Sequence, residues 1–337
     1  MIRQAGPGAV QALMPEFKAR WPWWGGDLQT LHDQFVPPPA LAADSNLRVP
    51  AGDGSADQLL VAINRAAPGA EIKPLPVLLI HGLTGHQDSP QMLLFTAYLN
   101  ACGYHVARMN MRGAGPSRDC CGGYYHAGFY ADIAPVVAAI RQYFDHAEAV
   151  LAVGASLGGS VLLNYLAKLG TGIAAAVTIS APIDLAASAE RLIQPRNSLY
   201  HRWLLAAMKH GVSAGKLRLS KAEEQAIDSA RTVVQFDDRF IAKRFGFAGA
   251  RGYYAQCSAQ WQLPQISCPS LLIHAANDPW IPVRSYHGLD WQNLSHVSCL
   301  IAGGGGHVGF HDGGHKAPWS IRAAVRFFEQ SAVLKTS

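Results

Sequence analysis

Short apolar runs alternate with longer amphipathic stretches along most of this chain, and the alternation predicts its architecture. Most of the short runs are apolar throughout, as expected of strands that are covered on both faces of a parallel sheet. One run is interrupted by Arg108 and Asn110. The predicted strands are Val77–Ile80, Val106–Met111, Val150–Val153, Ala174–Ile179, Leu271–His274 and Val297–Ile301.

Helical patterns separate these strands. The predicted helices are Ser89–Asn100, Ala131–Phe144, Leu157–Leu169 and a last helix that begins near Pro318, with apolar residues at Ile321, Ala324, Val325 and Phe328. Alternation of strand and helix predicts a mostly parallel, doubly wound α/β sheet. Ahead of this sheet, Asn46–Val49 and Gln58–Asn64 flank a Gly-Asp-Gly turn within Ala51–Gly54, which predicts an antiparallel hairpin.

A long, mostly helical segment interrupts the alternation between the fourth and fifth strands. It contains a helix over Ser198–His210, which we expect Gly211 to end, and a capping box formed by Ser220 and Glu223. Its place after a strand's carboxyl end predicts a lid, although a subdomain without a role in the site is the alternative. The expected organisation is one core in two parts, residues 1–184 and 264–337, with a lid over residues 185–263.

Composition narrows the class of protein. Hydrophobic residues make up 49% of the 337 residues and charged residues 15%, which excludes a disordered chain. No apolar run is long enough to span a bilayer, and residues 1–18 show no secretory signal, so we expect a cytoplasmic protein. The net charge of +5 comes from scattered residues, so no nucleic-acid partner is expected. The six cysteines form no CxxC pair and predict reduced thiols rather than a zinc site.

The strongest chemical signal is Gly-Ala-Ser-Leu-Gly at residues 154–158, placed between a buried strand and a helix. Glycines at these positions permit a tight turn that lifts Ser156 above the sheet at a helix N-terminus. A serine hydroxyl is a weak nucleophile, so it needs a base, and the base needs an orienting acid. We therefore interpret Ser156 as a nucleophile.

Candidates for the acid and the base follow in the order Ser, Asp, His. Asp278 lies just past a buried strand, where open α/β sheets place functional groups, and Asp184 is the second choice. His307 follows a run of four glycines after the last strand, which lets the loop bend towards the serine. His311 and His315 are close enough in sequence to compete for the same role.

A hydrolase also needs N–H donors for the oxyanion that forms on attack. The backbone N–H groups of Leu157, directly after the serine, and Leu83, after the first strand, are the expected donors. His81, with His86 and Asp88, could suggest a metal, but no further ligand follows at suitable spacing, so we interpret His81 as a histidine that braces the loop.

Other chemistries lack their sequence context. No phosphate-binding P-loop is present, and no cofactor or metal is expected. Gly304, Gly306 and Gly309 match a dinucleotide-binding pattern, but they follow the last strand, so no βαβ unit can form. The segment from His311 to His315 lacks the helical spacing of a metalloprotease.

Several motifs spread along the chain resemble the α/β-hydrolase superfamily and, within it, the YheT-like branch that includes plant embryogenesis-associated hydrolases and medium-chain esterases. They include residues 24–31, His81–Gly85, Asn110–Gly115, Tyr125–Gly128, Gly154–Gly159, Ser180–Leu185, Phe236–Asp238, Tyr253–Tyr254, Asn277–Pro279 and Gly306–His307. The family's serine, acid and histidine fall on Ser156, Asp278 and His307. One departure is Asp27, where the branch usually has histidine.

The resemblance implies the α/β-hydrolase fold and an acyl-enzyme formed from small-molecule esters with short or medium acyl chains. Family members differ between hydrolysis and acyl transfer to an alcohol, and a non-catalytic binding protein of the same fold is a further alternative. Trp21, Trp23 and Trp24 could touch a lipid surface peripherally, although such a cluster is more often buried. The sequence predicts no oligomeric state.

Overall fold

The protein is described here from a computed structural model, which covers the backbone of residues 3–5 and all of residues 16–331. Over these residues nine strands form one sheet in the order β1-β9-β8-β7-β6-β4-β5-β3-β2. The strands are β1 Arg3–Ala5, β2 Ser45–Pro50, β3 Gln58–Asn64, β4 Val77–Ile80, β5 Val106–Met109, β6 Val150–Ala155, β7 Ile173–Ile179, β8 Ser270–Ala275 and β9 Val297–Ala302.

The six predicted strands are β4 to β9, and they pair in parallel, which confirms the doubly wound sheet. The predicted hairpin is also present, because β2 and β3 pair antiparallel, with Pro50 opposite Gln58. Its loop covers residues 51–57 and is longer than the expected turn. Arg108 interrupts β5 without breaking it, because its buried guanidinium donates to Asn64 Oδ1 at 2.9 Å and to the Gln87 carbonyl at 2.8 Å.

Helices cover both faces of the sheet. They are α1 Gly25–Phe35, α2 Pro90–Ala101, α3 Ile133–Tyr143, α4 Leu157–Lys168, α5 Leu185–Leu192, α6 Ser198–Ser213, α7 Lys221–Ser229, α8 Val233–Phe236, α9 Ala242–Arg244, α10 Gly249–Cys257, α11 Arg284–His287 and α12 Trp319–Gln330. Side chains of β4 alternate between two buried clusters: Val77 and Leu79 pack with α2 and α12, whereas Leu78 and Ile80 pack with α3 and α4. This is the two-sided burial that the apolar runs predict.

The segment between β7 and β8 contains α5 to α10, and its apolar side chains join the cluster on the α3 and α4 face. The Ser220–Glu223 capping box is confirmed. The expectation that Gly211 ends the long helix is wrong, because α6 continues to Ser213. Gly211 is buried against Arg118 and Tyr124, so tertiary packing overrides its low helix propensity.

Candidate active site

Ser156 occupies the sharp turn between β6 and α4. Its φ of 48° and ψ of −123° are strained for a residue with a side chain. The neighbouring glycines make room for this turn: a Cβ on Gly158 would lie 2.4 Å from the His81 carbonyl oxygen, and one on Gly154 2.6 Å from the Gly158 carbonyl oxygen. The turn therefore lifts the serine hydroxyl above the carboxyl ends of the strands.

The structure brings Ser156, His307 and Asp278 together from three distant parts of the chain. His307 Nε2 lies 2.8 Å from Ser156 Oγ, and His307 Nδ1 lies 2.9 Å from Asp278 Oδ2. Since a carboxylate can only accept, Nδ1 carries the proton and donates to Asp278, which leaves Nε2 free to accept the serine proton. His307 and Asp278 are buried, so water competes little for these hydrogen bonds.

Asp278 is held in place after β8 by the backbone that follows it. Its Oδ1 accepts hydrogen bonds from the N–H groups of Trp280 at 2.8 Å and Ile281 at 2.9 Å, so Oδ2 faces the imidazole. The alternative acid, Asp184, is instead the N-cap of α5, where its side chain accepts from the Ala187 N–H at 3.0 Å. The structure thus places Asp278, rather than Asp184, beside the histidine.

The loop that carries His307 is held by helix α1, which lies nearly 280 residues earlier in the sequence. Thr30 Oγ1 accepts from the His307 N–H at 2.8 Å, and the Gln29 side chain exchanges two hydrogen bonds with the His311 backbone. Asn277 Oδ1 accepts from the Gly306 N–H at 3.0 Å. The family motifs over residues 24–31 and Asn277–Pro279 were the only sequence signals for these positioning residues, and they assigned them no role.

The competing histidines lie outside this relay. His311 stacks on His32 with ring centroids 3.4 Å apart, and its Nε2 is 3.6 Å from Asp33 Oδ1, whereas His315 is exposed. Burial is the main cause that lowers the pKa of His311 to about 3. His32, Asp33 and His311 are close enough to share a metal ion, and the Arg20 guanidinium lies 3.2 Å from His32 Nε2.

Both expected oxyanion donors border the pocket beside Ser156. Leu157 is the first residue of α4, where the backbone N–H has no acceptor within the helix, and Leu83 lines the facing loop. His81 braces that loop: its Nδ1 donates to the Gly82 carbonyl at 2.7 Å, and its Nε2 accepts from the Met111 N–H at 3.1 Å. Burial lowers the pKa of His81 to about 4, so the ring is neutral, and the bracing interpretation is confirmed.

A pocket opens from Ser156 into the space between the sheet and the helices of the segment between β7 and β8. Its wall is mostly apolar, with Leu185, Leu192, Leu204, Met208, Val233, Phe236 and Ile241 among the lining residues. Leu204 and Met208 belong to α6, so the segment between β7 and β8 supplies much of the wall. A pocket with this apolar lining suits an aliphatic chain or another apolar group.

Trp280 connects this site to α6. Its ring stacks on His307 with centroids 4.5 Å apart, and the rings of Tyr200 and Trp203 lie 5.5 and 6.4 Å from it. Asp27 reaches the same helix, since its carboxylate accepts from Tyr200 Oη at 3.0 Å and pairs with Arg196 at 2.7 Å. The residue that departs from the family pattern therefore joins α1 to α6.

The tryptophan cluster near residue 21 is only partly buried. Trp21 and Trp24 are 72% and 61% exposed, whereas Trp23 packs on His32 with centroids 4.6 Å apart. The expectation that the whole cluster is buried is thus wrong, and contact of these tryptophans with a lipid surface stays a prediction. Over the described residues, no helix is both long enough and apolar enough to cross a bilayer.

Comparison with known proteins agrees with this geometry. A profile of the family described as alpha/beta hydrolase fold matches residues 76–314, more than half of the chain, so the protein belongs to that family. Within the family it falls in the YheT-like branch, since YheT of Escherichia coli (strain K12) is 33% identical over 259 residues, or 72% of each chain. The resemblance inferred from the sequence motifs is confirmed.

More distant relatives extend the comparison. Phospholipase ABHD3 of Mus musculus is 28% identical over 247 residues, which are 70% of this chain and 58% of that protein. The chain thus spans less than two thirds of this relative. The Pyrococcus furiosus esterase Pf2001 has a TM-score of 0.54 over 87% of this chain and 98% of its own, with 16% identity, which shows a shared fold.

Proposed function

We propose that the protein is a serine carboxylic-ester hydrolase that acts on short- to medium-chain acyl esters through Ser156, His307 and Asp278. The observation that carries the proposal is the continuous hydrogen-bonded relay among these residues at the mouth of an apolar pocket. The names of the relatives, which include a phospholipase, support ester chemistry on acyl substrates.

In the proposed reaction, Ser156 Oγ attacks the ester carbonyl carbon while His307 Nε2 takes its proton. The N–H groups of Leu83 and Leu157 stabilise the oxyanion, and Asp278 stabilises the imidazolium that forms. His307 then returns the proton to the leaving alcohol oxygen as the carbon–oxygen bond breaks, which leaves an acyl-enzyme. Water, deprotonated by the same imidazole, attacks the acyl carbon, and His307 returns the proton to Ser156 Oγ as the bond from Oγ to that carbon breaks and the carboxylic acid leaves.

We further propose that residues 185–263 form a cap that shapes the acyl site. Leu204 and Met208 on α6 and Phe236 on α8 line the pocket opposite Ser156, and this supports a role beyond packing. The apolar wall suits the acyl chain, because transfer of each CH₂ group from water into it contributes about 0.8 kcal/mol. Acyl-chain preference should therefore depend on these three side chains.

Ser156→Ala tests the assignment. We expect kcat on p-nitrophenyl octanoate to fall by about 10⁶, as for other hydrolase nucleophiles, with unchanged thermal unfolding. Wild-type protein should react with a fluorophosphonate probe, and the variant should not. Retained activity in the purified variant would show that another residue is the nucleophile. A folded wild-type protein that neither hydrolyses esters nor reacts with the probe would favour the non-catalytic binding protein.

Acyl transfer is the second enzymatic candidate, since it uses the same acyl-enzyme. Adding increasing concentrations of ethanol to the ester assay separates the two activities, because an alcohol that competes with water yields a new ester. If no ester product forms at any concentration, transfer to that alcohol is excluded.

A further inference from the structure

One half-buried carboxyl group in the pocket wall has no part in the reaction described above. Asp237 lines the wall together with apolar residues, and its Oδ2 accepts a hydrogen bond from Tyr254 Oη at 2.7 Å. The Asp237 side chain is half-buried, and its accessible part borders the pocket. Its neighbour Asp238 is exposed and caps α10 by accepting from the Ala250 N–H at 2.9 Å. Two adjacent carboxyl groups therefore have different surroundings.

The backbone around Asp237 supports a role in binding. Residues Asp237–Ile241 form a π-helical turn between α8 and α9. Such turns are rare in proteins, and those that occur often lie at functional sites. The other tyrosine hydroxyls near this part of the wall already have partners: Tyr125 Oη accepts from the Thr84 N–H and Tyr253 Oη from the Ala127 N–H. Tyr254 is thus the phenol that serves Asp237.

A purely aliphatic ligand would fit this wall poorly. Among residues 16–331, Oδ1 of Asp237 has no protein hydrogen-bond partner, so hydrocarbon placed against it would leave a desolvated polar group without compensation. Burial raises the pKa of Asp237 to about 7. The protonated carboxyl can donate as well as accept, which matches a neutral hydroxyl group that can do both.

We propose that Asp237, oriented by Tyr254, binds a hydroxyl group of the substrate, so that the preferred esters carry a hydroxyl group remote from the reacting carbonyl. This specificity rests on the proposed ester hydrolysis. The hydroxyl group belongs either to the acyl chain or to the alcohol part of the ester, since the pocket runs from Ser156 to Asp237 without an assigned direction.

Two matched pairs of esters test the proposal. The acyl pair is p-nitrophenyl octanoate and p-nitrophenyl 8-hydroxyoctanoate, and the alcohol pair is propyl octanoate and 2,3-dihydroxypropyl octanoate. We expect wild-type kcat/KM to favour the hydroxylated ester about tenfold or more in one pair, which identifies the part of the substrate that reaches Asp237. No preference in either pair would overturn the proposal.

The decisive variant is Asp237→Leu/Tyr254→Phe, which replaces both partners of the hydrogen bond with apolar groups of similar shape. Such replacements are often neutral for stability, so the variant should fold. We expect the hydroxyl preference to disappear, because neither replacement side chain can form a hydrogen bond with the hydroxyl group of the substrate. Tyr254→Phe alone should weaken the preference about threefold or more, and Asp238→Asn, which keeps the α10 cap, should leave it unchanged. A preference that survives the double variant contradicts the proposal.

A binding measurement separates this proposal from the catalytic one. Calorimetric titration of the Ser156→Ala protein with 1,8-octanediol and 1-octanol requires no turnover. Relative to that protein, the additional Asp237→Leu/Tyr254→Phe change should reduce the affinity ratio of diol to alcohol about tenfold. An unchanged ratio overturns the role of Asp237 even if ester hydrolysis is established, and a reduced ratio supports it even if no ester is hydrolysed.

Discussion

The turn that carries Ser156 and the loop that carries His307 are built in different ways. The serine turn depends on two glycines next to it in sequence, because Gly154 permits the close approach of β6 and α4, and Gly158 that of α4 and the end of β4. The histidine loop depends on a distant helix, because Thr30 and Gln29 of α1 hold its backbone. A nucleophile can therefore be recognised from a short motif, whereas the placement of its base is a property of the whole fold.

Among the changes that compare the two regions, the largest expected effect on kcat concerns the acid beside the histidine. Asp278→Asn should lower kcat by about 10⁴, because an amide facing Nδ1 favours the wrong imidazole tautomer. Asp184→Asn is the matched control, since asparagine caps a helix as well as aspartate does, and it should leave kcat within about twofold. Ester hydrolysis at saturating substrate measures both. Equal losses in the two variants would mean that the acid has been assigned wrongly.

Gly158→Ala tests the serine turn. A Cβ at this position would lie 2.4 and 2.5 Å from two backbone carbonyl oxygens, so we expect a loss of stability of about 3 kcal/mol or failure to fold. Gly303→Ala is the control, because a Cβ there meets no atom within 4 Å. Urea unfolding followed by circular dichroism gives both values. A Gly158→Ala protein as stable as the control would show that the close approach is not needed.

Thr30→Val tests the long-range support of the histidine loop. The variant removes the acceptor for the His307 N–H, so we expect kcat to fall about tenfold as the imidazole loses its orientation, with little change in KM. Thr96→Val is the matched control. The Thr96 hydroxyl donates to the carbonyl four residues earlier in its helix, and this threonine is not part of the site. The idea fails if the two variants lose kcat equally.

A smaller effect, on the pH dependence of stability, should follow from the buried imidazoles of His81 and His311, which lie near the serine turn and the histidine loop. Burial lowers the pKa of His81 near the serine turn to about 4, and that of His311 near the histidine loop to about 3. Between pH 6.5 and 4 the unfolded chain binds protons that the folded protein does not, so stability falls as the pH falls through this window. The urea midpoint should be lower at pH 5 than at pH 7. A midpoint that rises at pH 5 would contradict this sign.

Much of the fold and site could be predicted because the signals are local. Most of the six parallel strands are apolar runs covered on both faces, and Ser156 stands between such a run and a helix. The order of Asp278 and His307 after later strands then made them the first candidates, with Asp184, His311 and His315 as the alternatives. Arg108 shows the limit of this reasoning, because its burial in β5 depends on Asn64 and Gln87, whose proximity no local pattern reveals.

Other features could not be predicted because they depend on contacts between distant segments. Gly211 continues α6 because Arg118 and Tyr124 pack against it. The roles of Thr30 and Asn277 require knowledge of how α1 meets the last loop. Likewise, the carboxyl group of Asp237 faces the pocket only because the π-helical turn and α10 bring it against Tyr254.

The indole of Trp280 is in contact with the imidazole on one side and with aromatic side chains of α6 on the other. A ligand that displaces α6 on entering the pocket must therefore alter the surroundings of the His307 imidazole through the Trp280 indole. Ligand binding and the position of the imidazole are then thermodynamically coupled, because a ligand that binds more tightly to one position of α6 also favours the imidazole position that accompanies it.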